Sequence, residues 1–195
     1  MKNKLIVFEG IDGVGKSTLS KMLKNKLNKI GIPAVKYEDF EDRRQEYNLI
    51  KSFIKKEAPI NSSLFFYLSS AIYKSKKIEN LLKKHWVICD RYIYSTIAYH
   101  KIRGADMSLI SKLSKFPIIF PDFLFLIKTK ESIRIKRIKT RRENDALDFK
   151  KKKSGGLVSN MEVELEKFKP IIVDNSKSAH TSIQSILSKL FKKND

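Results

Sequence analysis

A disulfide framework is excluded at the outset, because Cys89 is the only cysteine among 195 residues. A lone thiol fits a reducing compartment. No apolar run approaches the ~20 residues that a membrane-spanning helix needs. The opening stretch, MKNKLIVFEG, is basic and then apolar, as a secretory leader is. Its apolar part covers only Leu5 to Phe8, however, and no small-residue cleavage site comes after it. A cytoplasmic protein is therefore expected. Histidine is also scarce: His85, His100 and His180 show no metal-ligand spacing with one another or with Cys89. There is no internal repeat and no Pro/Gly/Ser linker, so residues 1–195 read as one domain. Acidic residues are few, 21 against 41 Lys and Arg, which leaves a formal net charge of +20. Such charge attracts phosphate on nucleotides, nucleic acid or membranes. Here the lysines are scattered through every segment, with one local run at Lys150 to Lys153. A solvated lysine-rich surface explains that pattern, and neither a nucleic acid nor a membrane partner is expected.

What the chain does have is alternation. Short β-rich runs occur at Lys4–Glu9, Ala34–Tyr37, Trp86–Asp90, Phe123–Ile127 and Ile171–Asp174. Helical spacing lies between them: Leu19, Met22, Leu23, Leu27 and Ile30, then patterns near Glu46–Lys56, Ser62–Lys83, Tyr94–Ile102, Lys130–Arg142 and Ser182–Phe191. The strands are apolar on both faces, which predicts an α/β fold: a five-stranded parallel sheet with helices on each side. The last helix is expected to turn Leu187, Leu190 and Phe191 inward, and Trp86 and Cys89 to pack in the core. In such sheets ligands bind beyond the carboxyl ends of the strands. The residues directly after each strand therefore matter most.

After the first strand stands GIDGVGKS, Gly10 to Ser17. It fits G-x-x-x-x-G-K-[ST] at every fixed position, between a strand and a helix, as that motif requires. The glycines let backbone N–H groups turn inward around phosphate, and the helix start adds its positive dipole end. The candidate triphosphate contacts are Gly10, Asp12, Gly13, Val14, Gly15, Lys16, Ser17 and Thr18. Lys16 supplies a point charge, and the Ser17 hydroxyl suits Mg²⁺. A P-loop of this kind does not by itself separate kinase, GTPase, helicase or ATPase. After the third strand come Asp90 and Arg91. The carboxylate could hold Mg²⁺ or its water opposite Ser17, and the guanidinium could grip a second phosphate.

Together, FEGIDGVGKST (Phe8–Thr18) and DRYIYSTIAYH (Asp90–His100) resemble the thymidylate kinase family, with its F-E-G-x-[DE]-G-x-G-K-[ST]-T and D-R-Y-x-x-S-x-x-A-Y patterns. PDFLFLI (Pro121–Ile127), KRIKTRRENDALD (Lys136–Asp148) and IIVDNS (Ile171–Ser176) come in the same order as that family's later segments. The resemblance implies a P-loop nucleotide kinase fold with a short basic lid at about residues 142–160. It implies phosphoryl transfer from ATP, with Mg²⁺, to a nucleoside monophosphate, dTMP above all. It also implies roles. Asp12 faces the acceptor's sugar hydroxyl and phosphate, Arg91 holds the acceptor phosphate, Phe66 stacks on the base, Thr96 faces the base, and Tyr99 lies beneath the sugar. Ser95 belongs to the same acceptor set. The loop has Gly13-Val14 and no arginine, so the transition-state charge is expected from the lid side: Arg137 and Arg141, four apart on one helical face, with Arg142 beside them. A homodimer is implied as well, and the apolar stretch Leu64–Ile72 could build it or pack within the chain.

The departures fall on the acceptor side. Ser69 and Ser70 stand where the family has Asp and Arg, and Lys74, one turn on, could reach over. After the second strand YEDFEDRRQEYN has neither proline nor glycine, and Arg43 or Arg44 could serve there. His100 replaces a common glutamine. Asp145 and Asp148 are kept in the lid, and Gly155-Gly156 suggests a hinge or turn. Another monophosphate or a deoxynucleoside stays open as acceptor. A nucleotide switch or nucleic-acid binder is the alternative from another class, but it would have no use for Arg91, Ser95 and Tyr99 in one stretch.

Overall fold

The computed structural model of the chain describes residues 2–37, 52–54, 58–111, 115–144 and 155–192, with 141–144 and 155–159 described by backbone alone. In chain order the elements are β1 (Leu5–Glu9), α1 (Lys16–Lys29), β2 (Ala34–Tyr37), α2 (Ile60–Leu82), β3 (Trp86–Asp90), α3 (Ile93–Ile102), β4 (Phe123–Lys128), α4 (Glu131–Asn144), α5 (Gly155–Glu166), β5 (Ile171–Asp174) and α6 (Ala179–Leu190). The strands form one sheet in the order β2-β3-β1-β4-β5, and every pairing is parallel.

β1 is central because all five of its residues are buried, which only an inner strand can arrange. Its side chains alternate between faces. Ile6 and Phe8 join a core with Leu19, Leu23 and Leu27 of α1 and Ile183 and Ile186 of α6. Leu5 and Val7 join a second core with Leu64, Leu68, Ala71 and Ile78 of α2. Each such Leu, Ile, Val or Phe side chain, fully buried, stabilises the fold by roughly 1.5–3 kcal/mol. The register sets Val7 beside Cys89 of β3 on one side and Leu124 of β4 on the other. The carboxyl end of β1 therefore lies between the ends of those two strands, and the chain's first turn opens into that crevice.

All five expected strands are present, within a residue of the expected ends. The expected helix near Glu46–Lys56 falls largely outside the described residues, as do Arg43 and Arg44. Two expectations are corrected. The Gly155-Gly156 pair does not form a turn; it opens α5, whose Met161 and Leu165 join the first core. That burial outweighs the helix cost of two glycines at a terminus. Phe191 lies just past α6 and is 39% exposed, with its ring against Trp86 at 6.1 Å; α6 turns Ile183, Ile186 and Leu190 inward, with Leu187 half-buried against the same core.

Candidate active site

The loop after β1 folds back on the start of α1 because its glycines take backbone angles that other residues resist. Gly13 has φ 86° and Gly15 has φ 99°. Space enforces the choice too. A Cβ on Gly13 would meet Ile138 Cγ1 at 2.8 Å, and one on Gly15 would meet Asn175 Nδ2 at 2.5 Å. Gly15 caps α1 with no side-chain hydrogen bond, so the first-turn N–H groups keep their donor capacity for the crevice.

A polar cavity of about 260 Å³ stands at this point, lined by Asp12, Gly13, Gly15, Lys16, Ser17, Asp90 and Arg91. The two motifs named from the sequence thus meet in one place, and all seven lining residues are among those expected. Lys16 is 7% exposed and donates to Ile11 O at 2.9 Å. Burial lowers its pKa to about 8; Arg91 pushes in the same direction, and Asp90, Asp12 and Glu9 oppose it. The Ser17 hydroxyl donates to Asp90 Oδ2. Those two oxygens form an all-oxygen pair suited to a hard cation. Arg91 is forked between Ser95 Oγ (3.0 Å from Nη1) and Asp12 Oδ1 (2.6 Å from Nη2).

The base-side candidates Phe66, Thr96 and Tyr99 are not among the residues that line this cavity. Phe66 contacts Tyr67 edge-on at 5.3 Å; Tyr67 and Tyr99 both contact the His100 ring, at 5.5 and 5.2 Å. The set joins α2 to α3. Tyr99 Oη accepts from Arg103 Nη1 at 2.7 Å. His100 is 1% exposed. Its Nδ1 lies 2.7 Å from Thr96 O, which can only accept, so Nδ1 carries the proton and Nε2 accepts from Ser63 Oγ at 2.9 Å. Burial holds its pKa below the ordinary histidine value, against the Thr96 bond.

α4 roofs the loop. Arg137 donates to Val14 O at 3.1 Å and to Asn175 O at 3.1 Å. Arg141 lies one turn further along α4, and its side chain falls outside the described atoms, as do Arg142, Asp145 and Asp148 and the greater part of the lid segment 142–160. Lys74, one turn beyond Ser70, is buried at the foot of the site. Its amine donates to Arg91 O at 3.0 Å, beneath the turn after β3.

Three residues that shape the site carried no expectation from the sequence. Arg134 donates to Asp12 O at 3.2 Å while paired with Glu131. Asn175 donates to Val14 O at 2.8 Å. It is the first residue after β5, so attention to the position just past each strand would have found it. Glu9, 1% exposed, accepts from Tyr92 N at 2.9 Å, Ser95 N at 3.2 Å and the Ser95 hydroxyl. Burial pushes its pKa up, opposed by Ser95 and Arg91. An acid ending a buried strand was its signal.

Comparison with known proteins gives this geometry a family. The thymidylate kinase family model matches residues 8–186. A probable thymidylate kinase from Methanocaldococcus jannaschii is 33% identical over 180 residues, 91% of this chain and 89% of the relative. A thymidylate kinase from Brachyspira hyodysenteriae is 32% identical over 149 residues, 73% of this chain and 71% of the relative. Among solved structures, thymidylate kinase from Ehrlichia chaffeensis superposes with a TM-score of 0.67 at 24% identity, over 97% of this chain and all of that one. Deoxyadenosine kinase from M. mycoides gives 0.66 at 18% identity, over 96% and 99%. These two likenesses show the fold. With the family match spanning both motifs and the cavity they line, the chain belongs to the thymidylate kinase family, a family of P-loop phosphotransferases.

Proposed function

We propose that this chain transfers the γ-phosphoryl group of ATP to dTMP, giving ADP and dTDP. The carrying observation is the cavity itself, in which a P-loop lysine and serine face an aspartate and an arginine from the neighbouring strand end. Such a cavity can hold the donor phosphates and the acceptor phosphate together, and phosphoryl transfer asks for little more than positioning and neutralised charge. An oxygen of the dTMP phosphate attacks the γ-phosphorus, and the bond to the β–γ bridging oxygen breaks, leaving its electron pair on ADP.

In this reading the loop N–H groups from Gly13 to Thr18 and the Lys16 ammonium bind the β- and γ-phosphates. Arg91 binds the acceptor phosphate, oriented by Ser95 and Asp12, and Asp12 also faces the sugar hydroxyl. Phe66, Thr96 and Tyr99 form the base and sugar side. Arg137 braces the loop through Val14 O and, with Arg141, supplies positive charge on the donor side. Ser17 and Asp90 would hold Mg²⁺, their oxygens already being in contact. When bound, Mg²⁺ neutralises charge on the donor phosphates. The single buried cysteine suits the cytoplasm. Among the described residues no helix is long and apolar enough to cross a membrane. A second copy is proposed to pack on α2, where Phe65 and Tyr73 are 47% and 49% exposed.

One observation favours a second reading. Ser69 and Ser70 leave α2 without the arginine that the family pattern has there, so the acceptor could be another monophosphate or a deoxynucleoside. ADP release coupled to a reporter, run across a panel of monophosphates and deoxynucleosides, decides between them. Turnover with dTMP is the expected result. Turnover with another acceptor alone selects the second reading, and ATP binding without any acceptor-dependent turnover defeats both.

A further inference from the structure

The Arg91–Tyr92 peptide group is gripped at both ends by buried ionisable side chains. Its carbonyl oxygen, that of Arg91, accepts from Lys74 Nζ at 3.0 Å. Its N–H, that of Tyr92, donates to Glu9 Oε1 at 2.9 Å. Lys74 is 6% exposed and Glu9 1%. Both Glu9 oxygens accept hydrogen bonds, Oε1 from Tyr92 N and Ser95 N and Oε2 from the Ser95 hydroxyl, as a carboxylate does. Positive charge at the oxygen and negative charge at the N–H align with the peptide dipole. Rotating that peptide would bring each charge against the wrong end.

Arg91 has reason to need such a grip. Its φ is 69°, in the left-handed region that a long side chain disfavours. A residue held there persists only where its surroundings over-determine it. The Arg91 N–H is tied to Phe8 O at 2.9 Å, and the Tyr92 N–H to Glu9. Of the described hydrogen bonds to the backbone of this turn, the one from outside β1 and α3 comes from the Lys74 amine. That amine is also framed by the rings of Tyr37 and Tyr92, at 4.8 and 5.7 Å from their centroids. The turn thus reads α2 through one lysine, four residues after Ser70.

We propose that Lys74, opposite Glu9, clamps the Arg91–Tyr92 peptide and is a positioning residue for Arg91, keeping its guanidinium aimed at the acceptor phosphate. The inference rests on the kinase reading for its activity arm and on geometry alone for its structural arm. Lys74→Met keeps the aliphatic stem and removes both donor and charge. The expected result is a fall in kcat/KM for dTMP of about ten- to a hundredfold, as for a lost hydrogen bond to a charged group, with KM for ATP unchanged. Lys74→Arg should recover part of the loss. In an Arg91→Ala background Lys74→Met should add almost nothing, since its effect passes through Arg91. Additive losses, an equal change in KM for ATP, or an undiminished kcat/KM for dTMP would overturn the proposal. If Lys74→Met does not fold, Lys74→Gln, which keeps a neutral donor and loses the charge, carries the same directions with a smaller fall. The crystal structure of the folded variant is the arm that needs no turnover. Arg91 should leave the left-handed region or its peptide should rotate, and an unchanged Arg91 would sink the clamp. Were wild type inactive on every monophosphate, the kinase reading would fail while this arm still decided the clamp.

Discussion

Arg91 Nη2 donates to Asp12 Oδ1 at 2.6 Å, joining the phosphate loop to the turn after β3 across 79 positions of sequence. The contact couples the two halves of the proposed site, since the residue inside the loop orients the guanidinium proposed to hold the acceptor phosphate.

Asp12→Asn should therefore act on the acceptor. The Asp12 side chain is 85% exposed, and an ion pair so screened is worth about 0.2–1 kcal/mol. We expect kcat/KM for dTMP to fall about two- to fivefold, with ATP affinity changed little. Steady-state kinetics with each substrate varied in turn checks the split.

Lys16→Ala should reduce kcat by at least about a hundredfold, the scale for losing one preorganised donor at a developing charge. The pH dependence is more particular. Burial lowers the Lys16 pKa to about 8, whereas a bound polyphosphate favours the protonated form. Below pH 8 the amine is already charged, and ATP binding needs no proton from it. Above pH 8 binding must take one up, so affinity should weaken as pH rises. Calorimetry at pH 8.5 in buffers of differing ionisation enthalpy should show proton uptake in wild type and none in Lys16→Met.

Gly13→Ala tests the roof of the loop. The new methyl would stand 2.8 Å from Ile138 Cγ1, at a φ of 86°. Left-handed strain alone costs about 1–3 kcal/mol, and the contact with α4 adds to it. We expect a lower Tm and weaker ATP binding together, read by thermal unfolding with and without ATP. An unshifted Tm would mean that α4 does not press on the loop.

His100 should leave a mark on acid stability. Its folded pKa is held below the ordinary value, first by burial. As pH falls through the unfolded value of about 6.5, the unfolded chain takes up a proton that the folded chain refuses. Stability contributed by neutral His100 is thus present above that pH and lost below it. His100→Gln should flatten the slope of stability against pH between about 6.5 and 5, measured by urea unfolding. An equally steep slope in the variant would assign the effect elsewhere.

Much of the site was legible because it depends on patterns that sequence carries directly. Gly10 to Ser17 announced a loop and a helix start, and Asp90-Arg91 stood where a buried strand had to stop. Roles that depend on the third dimension were harder to read. Lys74 looked like a substitute for an arginine absent at Ser70; its bond to the Arg91 carbonyl is one that no spacing rule foretells. Arg137 was expected as charge for the reaction, and its contacts also brace the loop from above. Asn175 and Arg134 work through main-chain oxygens, for which side-chain type is a weak signal. α5 went unread because two glycines at its start resemble a turn until its apolar face finds Met161 and Leu165 a place in the core.

Only Arg91 and Tyr92 separate the end of β3 from the start of α3. That junction has no slack for insertion or remodelling. Under the proposed function, side chains along α2 and α3 can change acceptor preference in single steps while the connection between strand and helix stays the same length. Directed evolution toward a new nucleotide would do best to randomise positions such as Ser69, Ser70 and Thr96 and leave the junction untouched.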